Sequence, residues 1–387
     1  MANIDAAKIA NSHIRQRFHV LDGMRGVAAL AVMLFHYHDY GVHSRFFDNT
    51  FTAVDFFFIL SGFVLNHAYG EKLRTGMNAG DYLARRIARL FPLSALALIV
   101  GAPAFYFTSI LAKHPEYPVH SLITMLSCNV FFLPYLVDWG ERAGDIFPID
   151  HALWSIFFEI VASIAFIWLV RLCWVRLLWL GLASYVAFFV AAALSGTHPH
   201  FYVATPDLGW NSANFLGGFP RVFCSFICGM VLYRLYRLRP TTGVLGFIQR
   251  RRIGSAPLLY LGLALTLFFP FYIKGIFSWC AILFIAPFFV IQGGQAVCGS
   301  RRLSTASDFL GWISYPVYCL HQPIMNTVKM LDRYDSWARE VSWRAVAIPA
   351  ALLFAALCAS AFDRLRVQPK FAAAVRRLLF FVPSEVA

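Results

Sequence analysis

The sequence predicts an all-α polytopic membrane protein, with about ten transmembrane helices, one short re-entrant or interfacial helix, and both termini cytoplasmic. Three observations predict it. Hydrophobic residues make up 59% of the 387 positions and charged residues only 14%. Apolar runs long enough to cross a hydrocarbon core of ~30 Å, at ~1.5 Å per residue, recur along the whole chain. Basic residues concentrate in alternate connections, which is the pattern that orients a membrane protein.

The expected spans lie near 22–40, 52–70, 88–111, 151–171, 174–195, 214–234, 256–273, 276–292, 308–329 and 343–363. Residues 1–20 are polar and lack an apolar core ahead of a small-residue cleavage site, so the first span is expected to act as its own insertion signal. An eleventh apolar piece, 120–137, is shorter and carries Asn129 and Pro134. Counting it as a full crossing would flip every later loop and erase the basic bias. With ten spans, most of the 33 basic residues fall on the side of the N-terminus. The organisation is then a cytoplasmic tail over 1–20, a transmembrane domain over 21–363 and a basic cytoplasmic tail over 364–387. The external stretches 112–150 and 195–213 are rich in Pro, Gly, His and aromatics and suit a substrate mouth.

The net charge of +13 reads, in so apolar a chain, as cytoplasmic loops facing anionic lipid or anionic substrates rather than as nucleic-acid binding. The eight cysteines form neither a disulfide framework nor metal-ligand spacing. Cys224 and Cys228 stand one turn apart and read as packing residues, not zinc ligands.

Polar residues inside spans are costly and point to function or to a partner. In the first span, Arg25 opens the apolar run and His36 lies deep within it. Eleven residues are three turns plus about 20°, so both share a face, roughly 16 Å apart along the axis. His36 fits either catalysis or a buried ring bonded to a neighbouring carbonyl. Asp55, near the outer end of span two, fits a group holding a histidine tautomer or a substrate hydroxyl, and equally an interfacial carboxylate in water. Ser61 and Gly62 read as packing sites between helices.

Arg85, Arg86 and Arg89 stand at the cytoplasmic mouth of span three, suited to phosphates or to simple membrane anchoring. In span four, Glu159 lies about 12 Å along the helix from His151, with Ser155 one turn away. Arg221 in span six is its expected partner. His321, bracketed by Pro316 and Pro323, lies deep in span nine, where the prolines would free carbonyls toward a cavity. His36, Glu159, Arg221 and His321 are thus expected between mid-membrane and the outer face, and the arginine cluster on the opposite side.

Six pieces in order resemble the acyltransferase 3 family of integral membrane O-acyltransferases: Arg25 with His36; VDFFFILSGFVL at 54–65; RRIARLFP at 85–92; Trp154, Ser155 and Glu159; Arg221, Phe226 and Gly229; and SYPVYCLHQP at 314–323. Ala53 stands where the family usually has glycine. The resemblance implies transfer of an acyl group, usually acetyl, from cytoplasmic acyl-CoA to a hydroxyl of a sugar, glycan or glycolipid, in a bacterial inner membrane. It implies no bound cofactor.

On that reading Arg25, Arg85, Arg86 and Arg89 hold the coenzyme A phosphates, and His36 is general base or acyl carrier. Glu159 orients a histidine, and Arg221 or His321 stabilises the oxyanion. Asp55, Ser155 and Trp154 bind or orient the acceptor. The alternatives are a proton-coupled transporter, against which stands the lack of an inverted repeat, and a non-catalytic lipid- or glycan-binding sensor.

Overall fold

The computed structural model describes residues 17–37, 45–107, 119–137, 144–195, 204–238, 253–270, 274–334 and 343–380. Most of the expected tail 1–20, His38 and Asp39, much of the external stretches, and residues 381–387 lie outside them.

A helix lies within the described part of each of the ten expected spans. The helices are α1 (His19–Tyr37), α2 (Thr52–Arg74), α3 (Ala79–Phe105), α4 (Val119–Val130), α5 (Leu153–Leu169), α6 (Trp174–Leu194) and α7 (Phe215–Leu238). Then follow α8 (Ala256–Leu267), α9 (Lys274–Cys280), α10 (Ala286–Gln295), α11 (Arg301–Tyr334), α12 (Trp343–Arg364) and α13 (Val367–Phe380). A π-helical turn, Ala281–Ile285, joins α9 to α10 into one rod. Among the described residues, seven helices are long and apolar enough to cross a membrane by length and composition: α1, α2, α3, α6, α7, the α9–α10 rod and α12. Helix α4 has twelve residues, ~18 Å by helical rise, and falls short of a hydrocarbon core.

Among the described residues the fold is helical apart from one isolated bridge, Asp145 with Asn211. Helix α6 turns Val175, Trp179, Leu182 and Phe189 outward. Such a surface is intolerable in water and suited to lipid.

Helix α11 runs along α1, α3 and α12. It stays helical through Pro316 and Pro323. Its approach to α1 depends on Gly26, where a Cβ would meet Leu310, and on Gly311, where one would meet Asp22. Helices α2 and α7 meet backbone to backbone. A Cβ on Gly62 would collide with the Phe226 carbonyl oxygen, and one on Gly229 with that of Ile59. This bears out Gly62 as a packing position.

The C-terminal segment is more than a tail. Helix α13 turns back from α12 at Arg366, whose φ is 50°. It lies against α3, with Phe371 stacked on Phe91 and Arg376 paired to Asp81 at 2.9 Å.

Candidate active site

Two cavities lie end to end inside the bundle. The first, of about 180 Å³, contains Arg25, Arg86, Arg89 and Glu159. Arg25 is held on the α11 side: its Nε donates to Ser314 Oγ at 2.8 Å and its Nη2 to the Gly311 carbonyl at 2.6 Å. Arg86 is buried, and its Nη2 donates to Glu159 Oε1 at 2.6 Å. Ser61 Oγ donates to the same oxygen at 3.2 Å. Arg89 faces the cavity from the next turn of α3. Arg85 points elsewhere, into an adjoining hollow shared with Lys72 and Asp81. Ala68 and Tyr69 line both the hollow and the cavity.

The second cavity, of about 370 Å³, contains His36, His151, Trp154, Asp145, Asp207 and Trp210. Three imidazoles meet at its floor. The ring centroid of His36 is 5.6 Å from that of His151 and 5.2 Å from that of His321. His321 Nδ1 lies 2.9 Å from the Val317 carbonyl. A carbonyl only accepts, so Nδ1 carries the proton and Nε2 keeps its lone pair. That Nε2 is buried and makes no hydrogen bond among the described residues.

Two outer segments hold the rim. Ile146 N donates to the Trp210 carbonyl and Ser212 N to the Gly144 carbonyl. Asn214 Oδ1 accepts from Gly209 N and Asn211 N. Gly144, at φ 94°, makes the turn, and a side chain there would strike Asn211. These contacts set Asp145 Oδ2 3.5 Å from His151 Nδ1.

Val54 and Tyr318 line both cavities. The Tyr318 hydroxyl is hydrogen-bonded to Ser155 Oγ, so α5 and α11 are joined across the boundary.

Three expectations are corrected. Glu159 pairs with Arg86, not with Arg221, and belongs with the arginines rather than with the histidines. Arg221 is fully buried and engaged on all three of its nitrogens. Its Nε and Nη2 donate to Asp55, its Nη1 to Asp207 and to the Leu208 carbonyl, and its guanidinium lies 5.2 Å from the Trp154 ring. Asp55 is neither a histidine holder nor a solvated carboxylate. It is wholly buried and also accepts from Ser225. This interior ion pair lines neither cavity through Asp55 or Arg221, though Asp207 reaches the outer one.

The structure therefore gathers Arg25, Arg86, Arg89, Glu159 and Ser155 in one chamber, and His36 and Trp154 in the next, with His321 packed beneath. Sequence reasoning missed His151 and Asp145 as members of the site. The available signal was a histidine one turn before Trp154 at the start of a span, otherwise too polar for that position.

The acyltransferase domain family matches residues 18–362, nearly the whole chain, and the chain belongs to that family, acyltransferase 3. It is an integral membrane acyltransferase. Over 156 residues, 38% of this chain, it is 40% identical to protein 2 of the picA locus of Rhizobium radiobacter, covering 80% of that protein. Over 145 residues, 36% of this chain, it is 28% identical to YrhL of Bacillus subtilis strain 168. YrhL is named as a candidate peptidoglycan O-acetyltransferase, and the match spans only 21% of its length. No solved structure is significantly similar to the chain.

Proposed function

We propose that this protein moves an acyl group, acetyl in the first instance, from cytoplasmic acyl-CoA to a hydroxyl of a sugar or glycan at the outer face of a bacterial inner membrane. The observation that carries the reading is the pair of cavities, guanidinium-lined at one end and imidazole-lined at the other, that share Val54 and Tyr318.

Coenzyme A is polyanionic at one end and bears its thioester at the tip of a long thin arm. Arg25 and Arg89 offer donors to its phosphates, with Arg85 and Lys72 at the mouth. Arg86 is already held by Glu159, so it presents a fixed positive edge rather than a mobile one. The arm then runs toward the histidines.

At that end His36 takes the proton of the acceptor hydroxyl as general base. Carriage of the acyl group on His36 itself is the variant of the same scheme. His151, beside Asp145, and the Trp154 and Trp210 rings form the acceptor wall, where indole faces suit the apolar faces of sugars. The name of YrhL, a relative over part of its length, supports acetyl and a glycan.

The test uses purified protein in nanodiscs with radiolabelled acetyl-CoA and envelope extract as acceptor. Label transfer by wild type, abolished in His36→Ala and weakened through donor KM in Arg89→Ala, is expected. Absence of transfer from acetyl-CoA and from longer acyl-CoA donors would sink the reading.

A further inference from the structure

We propose that the Tyr318 hydroxyl is the hydrogen-bond donor that receives the negative charge developing on the thioester carbonyl oxygen, a role that rests on the acyl-CoA reading above. A donor from one chamber and an acceptor from the other can react only where the chambers meet. Among the described residues, Val54 and Tyr318 alone line both, and only Tyr318 carries a polar side-chain group.

The competing donors are committed or misplaced. Arg221 spends its guanidinium on Asp55, Asp207 and Leu208. His321 gives its ring proton to Val317. Arg86 and Arg25 line the arginine chamber and do not reach the outer one.

The direction of the Tyr318–Ser155 bond follows from the proton count. Ser155 Oγ donates its single hydrogen to the Ala152 carbonyl at 3.0 Å, so it must accept from the phenol. The phenol O–H is thus parked on an oxygen that keeps its own partner when the phenol leaves. Exchange for a substrate oxygen strands no buried proton. The ring is steadied edge-on by Phe57, centroids 5.4 Å apart, and stands 6.3 Å from the His321 ring.

In the reaction the acceptor oxygen bonds to the carbonyl carbon as its proton passes to His36. The carbonyl π pair moves onto oxygen, where Tyr318 donates. The pair then returns, the C–S bond breaks, and the thiolate takes the proton from His36. The products are the ester and free coenzyme A. The same donor serves if His36 carries the acyl group.

The experiment compares wild type, Tyr318→Phe and Ser155→Ala in nanodiscs, measuring kcat, acetyl-CoA dissociation constant and melting temperature. Loss of one oxyanion donor typically costs ~100- to 1000-fold in kcat. Tyr318→Phe is expected to lose on that order with donor binding and melting temperature held, and Ser155→Ala to lose far less. Equal losses in the two variants, or a fall in melting temperature that accounts for the Tyr318→Phe loss, would reduce the phenol to a strut and overturn the proposal. Full kcat in Tyr318→Phe, with wild type active, would also overturn it while leaving the acyl-CoA reading intact. No transfer by wild type from any acyl-CoA would remove both.

Discussion

Arg86 and Glu159 form an ion pair of 2.6 Å between α3 and α5, 73 residues apart in sequence, on the wall of the arginine chamber. The arginine is almost fully enclosed, whereas the carboxylate keeps 26% of its side-chain surface open to the cavity. The pair is asymmetric, and that asymmetry sets the first expectation. Removing the carboxylate strands a buried guanidinium, a loss worth roughly 3–5 kcal/mol for enclosed pairs and less here, where water reaches the cavity. Glu159→Ala is expected to lower the melting temperature in detergent and to raise the acetyl-CoA dissociation constant. A variant that melts and binds like wild type would show that Arg86 needs no partner.

Arg221 and Asp55 carry no chemistry if the ion pair is structural. Arg221→Lys keeps the charge but gives up the planar fork that reaches Asp55, Asp207 and Leu208 together. A destabilisation of about 3 kcal/mol or more is expected, read as loss of folded yield. The fraction that folds should retain its kcat. A well-folded Arg221→Lys protein lacking turnover would instead return Arg221 to the reaction.

Gly62 and Gly229 admit no side chain. Gly62→Ala drives a methyl into the Phe226 carbonyl, a rigid backbone atom, so α2 and α7 must part. The cost lies at or beyond the upper end of the ~1–3 kcal/mol usual for overpacking. Gly254→Ala meets nothing within 4 Å and is the control. Size-exclusion profiles should separate them, and a monodisperse Gly62→Ala protein would contradict the packing.

Asp150 lies outside the spans, just before α5. Burial pushes its carboxyl well above the ordinary range, with one opposing bond from Ala152 N. Its Oδ2 is buried and has no hydrogen-bond partner among the described residues. A raised folded-state pKa means the native state holds a proton that the unfolded chain has released. Stability contributed by this group is therefore intact below the unfolded pKa and falls as pH rises toward the folded one. Asp150→Asn is expected to melt above wild type at pH 8, with the gap closing as pH falls to about 4. An equal gap at both ends of the range would refute a neutral Asp150.

The legible part of this protein was what one helix can encode. Arg25 and His36 share a face by arithmetic alone, and in the fold they line the two different cavities. The helical class and the order of the spans followed from hydropathy. Pairings between helices were not legible. Glu159 and Arg221 were matched on depth, but depth does not say which faces oppose each other. Their actual partners are Arg86 on α3 and Asp55 on α2, the latter set against Arg221 where Gly62 and Gly229 let α2 and α7 touch. Asp145 reads in the sequence as an ordinary polar loop residue, and His151 as the outer end of span four with no role attached. Residues 367–380 read by charge as a basic tail, although Phe371 and Val375, one turn apart, mark a helical face.

The link between Arg25 and Ser314 closes a loop of 289 positions. During synthesis α1 must therefore wait in the bilayer, guanidinium and imidazole included, until most of the remaining chain has been threaded. On the proposed function, the centre that unites Arg25 and His36 with α11 is then among the last parts of the molecule to assemble, and truncation before His321 is expected to abolish acyl transfer. The wait itself is thermodynamically mild, because each doubling of a closed loop adds only ~0.6 kcal/mol of entropy. Two separately translated halves sharing one membrane should accordingly find each other and restore a working centre.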